Sequence, residues 1–437
     1  MGSEIQVVEQ SFVAPSTPTP RNGLWVSSLD LAKARGGHTP LVYFFRRSND
    51  DDDFLDLSRL KESMAKALVA FYPLAGRAGV DGDGRIQIDC NSEGALFVVA
   101  RSKLSIDDLM PFPELRGSMM FVPRVEPSSV LLAVQVTFMK CGGVALGTAF
   151  HHLAVDASGD FHFMQTWSAF SRDGDGAAVE LPCHDRTLLR ARSPPIVHPD
   201  ALSVLYSPEM IKNTSEPSGG AAAIAASIFV ISNDQLASLK RVCGGASTFR
   251  ALSALVWQCA CAAWRLPPDA EARISFSVNA RRRGSMIPVR YMGNGALMVY
   301  ATGVARDIAS GALEHVASRI RTTINRVDDE LVRSAIDYHH ELLESGFQPK
   351  RAFMGDAEMR VVSWLGMPMY DADFGWGKPM RVSRAGSVHR GYMHLVRDGP
   401  DADSAIRVMA CLEAAHMKEF ERLISAKLEG GLYHAKL

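Results

Sequence analysis

Two adjacent histidines followed four residues on by an aspartate, His151-His152-Leu153-Ala154-Val155-Asp156, are the residues of this chain best suited to chemistry. An imidazole at such a position can take a proton near neutral pH, which points to general-base catalysis and so to an enzyme. Thirteen histidines among 437 residues make the bare H-x-x-x-D spacing weak by itself, and context strengthens it. Leu131 to Met139 alternates Val134, Val136 and Phe138 against Gln135 and Thr137, the pattern of a half-buried strand. Gly142-Gly143 then turns the chain into a second strand, Val144 to Phe150, which delivers the two histidines at its end. His152, four residues before Asp156, is the candidate base, and His151, which in extended backbone points the opposite way, is expected to pack or hydrogen-bond. Asp156 is open to two roles, orienting the imidazole as in a triad or supporting the loop.

A second motif lies far downstream, Asp371-Ala372-Asp373-Phe374-Gly375-Trp376-Gly377-Lys378-Pro379. Taken alone it is a turn-rich loop, with glycines flanking the tryptophan and a proline closing it. The indole N–H of Trp376 is a pure hydrogen-bond donor.

Together the two motifs resemble those of the plant BAHD acyl-CoA-dependent acyltransferases, whose H-x-x-x-D and D-F-G-W-G signatures match His152 to Asp156 and Asp373 to Gly377. The resemblance extends over nearly the whole chain. It includes His38-Thr39-Pro40, Phe71-Tyr72-Pro73-Leu74-Ala75-Gly76-Arg77 and Tyr291-Met292-Gly293-Asn294, close to the family's Y-F-G-N. It implies an α/β fold of two chloramphenicol-acetyltransferase-like domains with mixed sheets, joined by a crossover loop, with the active-site channel at their interface. It also implies direct transfer from a coenzyme A thioester, a co-substrate and no permanently bound cofactor.

The elements that must position these motifs are legible in the pattern. Leu57, Leu60, Met64, Leu68 and Phe71 recur at helical spacing, with Asp56 as the cap and Pro73 as the stop. Asp81-Gly82-Asp83-Gly84 turns into a strand from Ile86 to Cys90, and the run Asp50 to Asp53 reads as a solvated loop. From about Gly174 to Gly220 the pattern dissolves into Gly, Pro, Ser and Ala. We therefore expect an N-terminal domain over 1–175, a crossover over 176–220 and a C-terminal domain over 221–437. In the latter, Ser232-Asn233-Asp234-Gln235 fits a capping box, Thr248 to Trp264 an apolar helix, Ile274 to Val278 a strand, and Leu313 to Val327 an amphipathic helix.

Composition narrows the partners. With 47 basic and 48 acidic residues and no basic stripe, nucleic acid is not expected. No apolar run approaches the roughly 18 residues of a bilayer span, and the start lacks a secretory signal, so a cytoplasmic, monomeric protein acting on small molecules without a membrane partner is expected. Seven scattered cysteines, with Cys259-Ala260-Cys261 the only close pair, suggest neither a metal site nor a disulfide framework.

The resemblance assigns further residues. It implies that Asp156 turns away from the channel and pairs with Arg281 of the second half, which favours a structural role for it. Trp376 is open to serving the developing oxyanion or to shaping the loop, whereas Asp373 shapes the loop. Ser247 and Thr248, at a helix start, match the family's coenzyme A-contacting position, and Arg282 and Arg283 are phosphate candidates. His38, Leu41, Tyr43, Gly366 and Arg390 are assigned to the acyl and acceptor pocket. Relatives that use shikimate or quinate carry Ser-Trp-x-Arg-Leu-Pro before the second motif. Here the segment reads Ser363-Trp364-Leu365-Gly366-Met367-Pro368, without that carboxylate anchor. Leu41 likewise replaces a serine common in that branch. An aromatic acyl-CoA such as p-coumaroyl- or feruloyl-CoA is the expected donor, and an amine (putrescine, agmatine, spermidine, tryptamine or tyramine) the leading acceptor. Arg390 counts against this, since it would repel a polyamine. The alternatives are ester formation on an alcohol, and a catalytically silent acyl-CoA-binding protein.

Overall fold

Elements follow one another in the computed structural model as β1 (Ile5–Val13), β2 (Gly23–Trp25), α1 (Ser28–Ala34), β3 (His38–Phe45), α2 (Leu57–Ala70), β4 (Arg77–Val80), β5 (Ile86–Asp89) and β6 (Ala95–Ser102). Then come β7 (Leu132–Phe138), β8 (Val144–His151), α3 (Ala157–Asp173), α4 (Pro199–Leu202), β9 (Ile224–Ile231), α5 (Asn233–Val242), α6 (Thr248–Trp264), β10 (Glu271–Asn279) and β11 (Ala296–Val304). The chain continues through α7 (Ala305–Ser310), α8 (Leu313–Asn325), α9 (Asp329–Glu344), β12 (Glu358–Ser363), β13 (Arg381–Arg384), β14 (Tyr392–Arg397), β15 (Ile406–Glu413) and α10 (Ala414–Glu429). The structure describes residues 5–34, 36–47, 55–110, 116–126, 128–205, 223–284, 286–346, 357–386, 389–401 and 403–429. The run Asp50 to Asp53 and residues 206–220 of the expected crossover lie outside these.

Two compact units result, and they are not consecutive halves of the chain. The first comprises Met1–Ala191, Met286–Gly295 and Met367–Ser387, and the second Arg192–Ser285, Ala296–Gly366 and Val388–Leu437. This departs from the expected 1–175 and 221–437 division, for identifiable reasons. Strand β13 pairs antiparallel with β3, Arg384 opposite Leu41, and so ties the Trp376 segment to the first unit. Within the expected crossover, Cys183 donates its N–H to Arg290 O (2.8 Å) and accepts from Met292 N–H (2.8 Å), which fixes both segments there.

The first unit holds a mixed six-stranded sheet, β1-β6-β7-β8-β3-β13, and a small sheet, β2-β5-β4. One face of the large sheet buries Val42, Phe44, Leu96, Ala133, Ala145 and Ala149 in a common core with Phe121. Helices α2 and α3 belong to the other layer. The buried Trp167 of α3 donates its indole N–H to Leu60 O of α2 (3.0 Å), and Asp56 caps α2 by accepting from Ser58 N–H. The expected half-buried β7 is buried on both faces. Gln135 and Thr137 are enclosed, and Gln135 Nε2 satisfies itself on Thr137 Oγ1 (3.0 Å) and Met120 O (3.2 Å). Alternating polarity thus marked an internal hydrogen bond, with a second layer covering the strand.

The second unit's sheet runs β11-β10-β12-β14-β15-β9. Its four strands β12-β14-β15-β9 repeat the relations of β6-β7-β8-β3: one parallel pair, then two antiparallel ones. A helix follows the third strand in each, α3 after β8 and α10 after β15. The capping box at Ser232 and Gln235 forms as expected, and α6 spans Thr248–Trp264, also as expected.

Candidate active site

The β7–β8 hairpin turns at Gly142, whose φ of +81° suits glycine. Strand β8 then pairs with β3, His38 opposite His151, and one further bond, His152 N–H to Gly37 O (2.8 Å), holds the next residue in line. His38 and His151 meet edge to face with ring centroids 4.8 Å apart, and His38 Nε2 contacts Val130 O at 2.7 Å. Burial pushes the imidazole of His151 down to about 4. Burial lowers the proton affinity of His38 as well, so both rings are neutral at physiological pH.

His152 has a different environment. Its Nδ1 lies 3.0 Å from Asn294 Oδ1. The orientation of that amide is fixed, because Asn294 Nδ2 donates to Asp30 Oδ1 (2.9 Å) and to His152 O (2.8 Å). The amide oxygen can only accept, so the proton of the neutral ring sits on Nδ1 and the Nε2 lone pair is left for chemistry. Burial, followed by the nearby Lys33 charge, lowers the basicity of His152 from that of a free imidazole. Both keep it unprotonated and ready to accept.

Asp30 anchors the arrangement. Fully buried, it accepts from Ser27 N–H (2.9 Å), Ser27 Oγ–H (2.8 Å) and Asn294 N–H (2.8 Å), and pairs with Arg186 Nη1 at 3.0 Å. Arg186, also buried, donates to the carbonyls of Leu153 (3.3 Å) and Ala154 (2.5 Å), inside the His152 loop. Asp156 caps α3 through Ser158 N–H (3.1 Å) and accepts from Gly295 N–H (2.9 Å). Its two oxygens thus tie the loop end to the strand of chain that carries Asn294. In this site Asn294 occupies the position at the imidazole that a triad would give to the aspartate.

Sequence reasoning passed over Asp30 and Arg186 and gave Asn294 no role. Asp30 had a readable signal: Ser27-Ser28-Leu29-Asp30 is a capping box at the start of α1, with Asp30 N–H also donating to Ser27 Oγ (3.2 Å). Arg186 had none, lying in a stretch read as connection.

Trp376 is placed elsewhere in the same unit. Asp373 Oδ1 accepts from Gly375 N–H (2.9 Å) and Gly377 N–H (3.0 Å), an aspartate-closed turn as expected. The indole stacks on Phe374 (centroids 5.3 Å) and meets Phe45 edge to face (6.0 Å), while Phe374 packs on Trp167 (4.8 Å). Phe45 ends β3 at the opposite end from His38, which is opposite His151. Seven residues of strand span roughly 23 Å, and side chains stand roughly perpendicular to a sheet. The indole N–H is out of hydrogen-bond reach of an atom reacting at His152 Nε2. The oxyanion role considered for Trp376 is thereby overturned in favour of its architectural one.

Of the remaining candidates, Leu41 and Tyr43 are buried in β3 of the first unit, and the others sit within the second. Ser247, exposed, caps α6 and accepts from Arg250 N–H (3.4 Å) and Nε–H (3.3 Å), with Thr248 the first helical residue. Arg281 is buried, its N–H donating to Asn279 Oδ1 (3.1 Å), and Arg282 and Arg283 are exposed. Gly366 is exposed, and a side chain built there would meet nothing within 4 Å. Arg390 forms an ion pair with Glu413, which offsets the charge that counted against a cationic acceptor. Among the described residues no cluster of histidine, cysteine and acidic side chains is arranged to hold a metal, and no helix is long and apolar enough to cross a membrane.

A model of the Transferase family matches residues 3–426. The chain belongs to the BAHD acyltransferases. This member is 38% identical over 451 aligned positions to putrescine hydroxycinnamoyltransferase 1 of Oryza sativa subsp. japonica, covering 97% of this chain and 99% of that one. It is 36% identical to shikimate O-hydroxycinnamoyltransferase of Nicotiana tabacum, covering 96% and 99%. Among solved structures, vinorine synthase superposes with a TM-score of 0.73 at 23% identity, covering 95% and 96%, a likeness of fold. F. sporotrichioides TRI101, solved with coenzyme A and T-2, gives 0.75 at 20% identity, covering 92% and 97%. The BAHD member described here is an acyltransferase enzyme of mixed α/β fold.

Proposed function

We propose that this acyltransferase moves a hydroxycinnamoyl group from its coenzyme A thioester to an aliphatic or arylalkyl amine, giving an amide. The observation that carries the chemistry is the Nε2 lone pair of His152, set by the Asn294 and Asp30 bonds. The amine nitrogen attacks the thioester carbonyl carbon, its proton passes to Nε2, and collapse of the tetrahedral adduct breaks the C–S bond. Nε2 then returns the proton to the coenzyme A sulfur. The thioester is already activated, so no covalent enzyme intermediate is needed. On the family pattern, the α6 start at Ser247 and Thr248, with Arg282 and Arg283, supplies amide, hydroxyl and guanidinium donors for the coenzyme's phosphates.

The amine reading is supported by Gly366, which stands where relatives that use shikimate carry arginine, and by the rice relative, whose name specifies putrescine. The test is a matrix of p-coumaroyl- and feruloyl-CoA against putrescine, agmatine, spermidine, tryptamine, shikimate and quinate, with products identified by mass spectrometry. Amides should dominate. A preference in kcat/KM for shikimate or quinate would overturn the amine reading and leave ester formation. If amides dominate, Gly366→Arg, for which the structure has space, should raise activity on shikimate from its low level.

A further inference from the structure

His152 is only partly enclosed, and the bonds around it locate its open side. Its N–H is taken by Gly37 O (2.8 Å) and its carbonyl by Asn294 Nδ2 (2.8 Å), while Nδ1 is closed off by the same Asn294, itself 1% exposed. What remains is the far edge of the ring, where Cδ2 adjoins Nε2. Beside that edge stands Gly36, an exposed residue in the turn between α1 and β3. A Cβ built on Gly36 would lie 3.9 Å from His152 Cδ2 and 3.0 Å from Lys33 O, and would meet nothing else within 4 Å. The missing side chain thus leaves a space bounded by the turn and by the ring edge that carries the reactive nitrogen.

The turn is fixed relative to the imidazole. Gly36 N–H donates to Lys33 O (2.8 Å) and Gly37 N–H to Ala34 O (3.2 Å), and Gly37 O holds the backbone of His152 itself. The charge of Lys33 also acts on the same ring, in keeping with the end of α1 facing it. Gly37 is glycine for its backbone, with φ of +65°. Gly36 lies outside the left-handed region, so its conformation admits a side chain. Only the space around it argues for glycine.

That space has a defined use in the reaction. The attacking atom of the acceptor must come within roughly 2.6–3.2 Å of Nε2 to hand over its proton. The carbon that bears it then lies one bond further out, in the shell that a side chain at position 36 would enter. We propose that Gly36 is a specificity-determining residue for the acceptor, leaving room beside Nε2 for substituents on the carbon next to the attacking atom. The inference rests on His152 as the base and holds whether that atom is nitrogen or oxygen.

The test compares wild type, Gly36→Ala and Gly36→Val on tryptamine and α-methyltryptamine with p-coumaroyl-CoA. The two amines differ by one methyl on the carbon next to the nitrogen. The ratio of kcat/KM for the branched amine to that for the unbranched one should fall from wild type to alanine to valine. For valine the fall should be at least about tenfold, the lower end of what one misfitting methylene costs in a pocket. Alanine requires only a small shift of Lys33 O and keeps the comparison available if the valine variant does not fold. Equal ratios in wild type and the variants overturn the proposal, however far both rates fall, because displacement of His152 alone would slow both acceptors alike. If wild type acylates neither amine, the amine reading fails, and 2-phenylethanol against 1-phenyl-2-propanol carries the same comparison. A readout without turnover completes it: carbethoxylation of His152 by diethyl pyrocarbonate, located by tandem mass spectrometry, should be slower in Gly36→Val than in wild type. Equal rates of modification would mean that position 36 does not border the approach to Nε2 and would overturn the proposal.

Discussion

His152 and Asn294, 142 positions apart in sequence, share a 3.0 Å hydrogen bond that decides which imidazole nitrogen is free. Asn294 is itself held by the buried Asp30, and Asp30 by Arg186. The base is thus oriented through an amide, with the carboxylate one residue further back. An amide partner fixes the tautomer without adding a negative charge beside the ring, which is consistent with an imidazole that stays neutral.

Removing that partner should affect turnover more than donor binding. For Asn294→Ala we expect kcat to fall roughly 10- to 100-fold, a part of the 10²–10⁴-fold that a positioned base contributes, with little change in KM for the acyl-CoA. Steady-state kinetics on the purified variant, with circular dichroism as the control for folding, checks this. A kcat within twofold of wild type would show that Nε2 is oriented by something else.

The Asp30–Arg186 pair should behave as a buried ion pair. Asp30→Asn and Arg186→Met each leave one member without its counterion and should destabilise the protein by about 3–5 kcal/mol. Their effects should be strongly non-additive in the double variant, because the second substitution removes the group that the first left stranded. Urea denaturation of the four proteins gives the coupling, and additive losses would mean the two do not act as a pair.

Substituting the tryptophan of the second motif separates architecture from chemistry. Trp376→Phe keeps an aromatic ring against Phe374 and Phe45 and deletes the indole N–H. We expect kcat to stay within about threefold of wild type and the melting temperature to drop by a few degrees. Loss of an oxyanion donor would instead cost roughly 10²–10³ in kcat.

Acid should destabilise the protein well before its carboxylates protonate. His38, His151, His152, His162 and His184 all have lowered proton affinity, chiefly through burial, and His151 and His184 are pushed down to about 4. In the unfolded chain these groups bind protons near 6.5. Between about 6.5 and 4 the unfolded state therefore holds more protons, and stability falls as pH falls through that window, with no contribution above it. Urea midpoints at pH 7.5, 6.0 and 5.0 should decrease in order; a constant midpoint would contradict the burial of these rings.

Much of this was legible in the residues. The hairpin that delivers His152, the capped helices α2 and α6 and the turn closed by Asp373 all follow from local patterns. These patterns report on bonds between near neighbours. What escaped them depends on pairing at long range. Arg186 sits in a low-pattern stretch yet is almost fully buried, because its partners are Asp30 and the carbonyls of the His152 loop. Trp376 looked able to donate to an oxyanion because the type of a residue is visible in sequence, whereas the register that places Phe45 at the far end of β3 from His38 is not. Asn294 was visible as a motif letter, and only its contacts reveal that it sets the tautomer.

The shared four-strand core of the two units has a consequence for the economy of the molecule. In one copy the third strand ends at His151, beside the base; in the other it ends at Glu413, which is committed to an ion pair with Arg390. If the copies descend from one ancestral module, fusion into a single polypeptide released the second strand-end from catalytic duty. One copy kept the proton chemistry, and in the other the equivalent strand-end is taken up by an ion pair. If Gly366 helps to choose the acceptor, as proposed, selection can work on it in the copy without the histidine while the bonds that orient His152 stay intact in their own unit. A lineage built this way can change its product repeatedly without rebuilding its reaction.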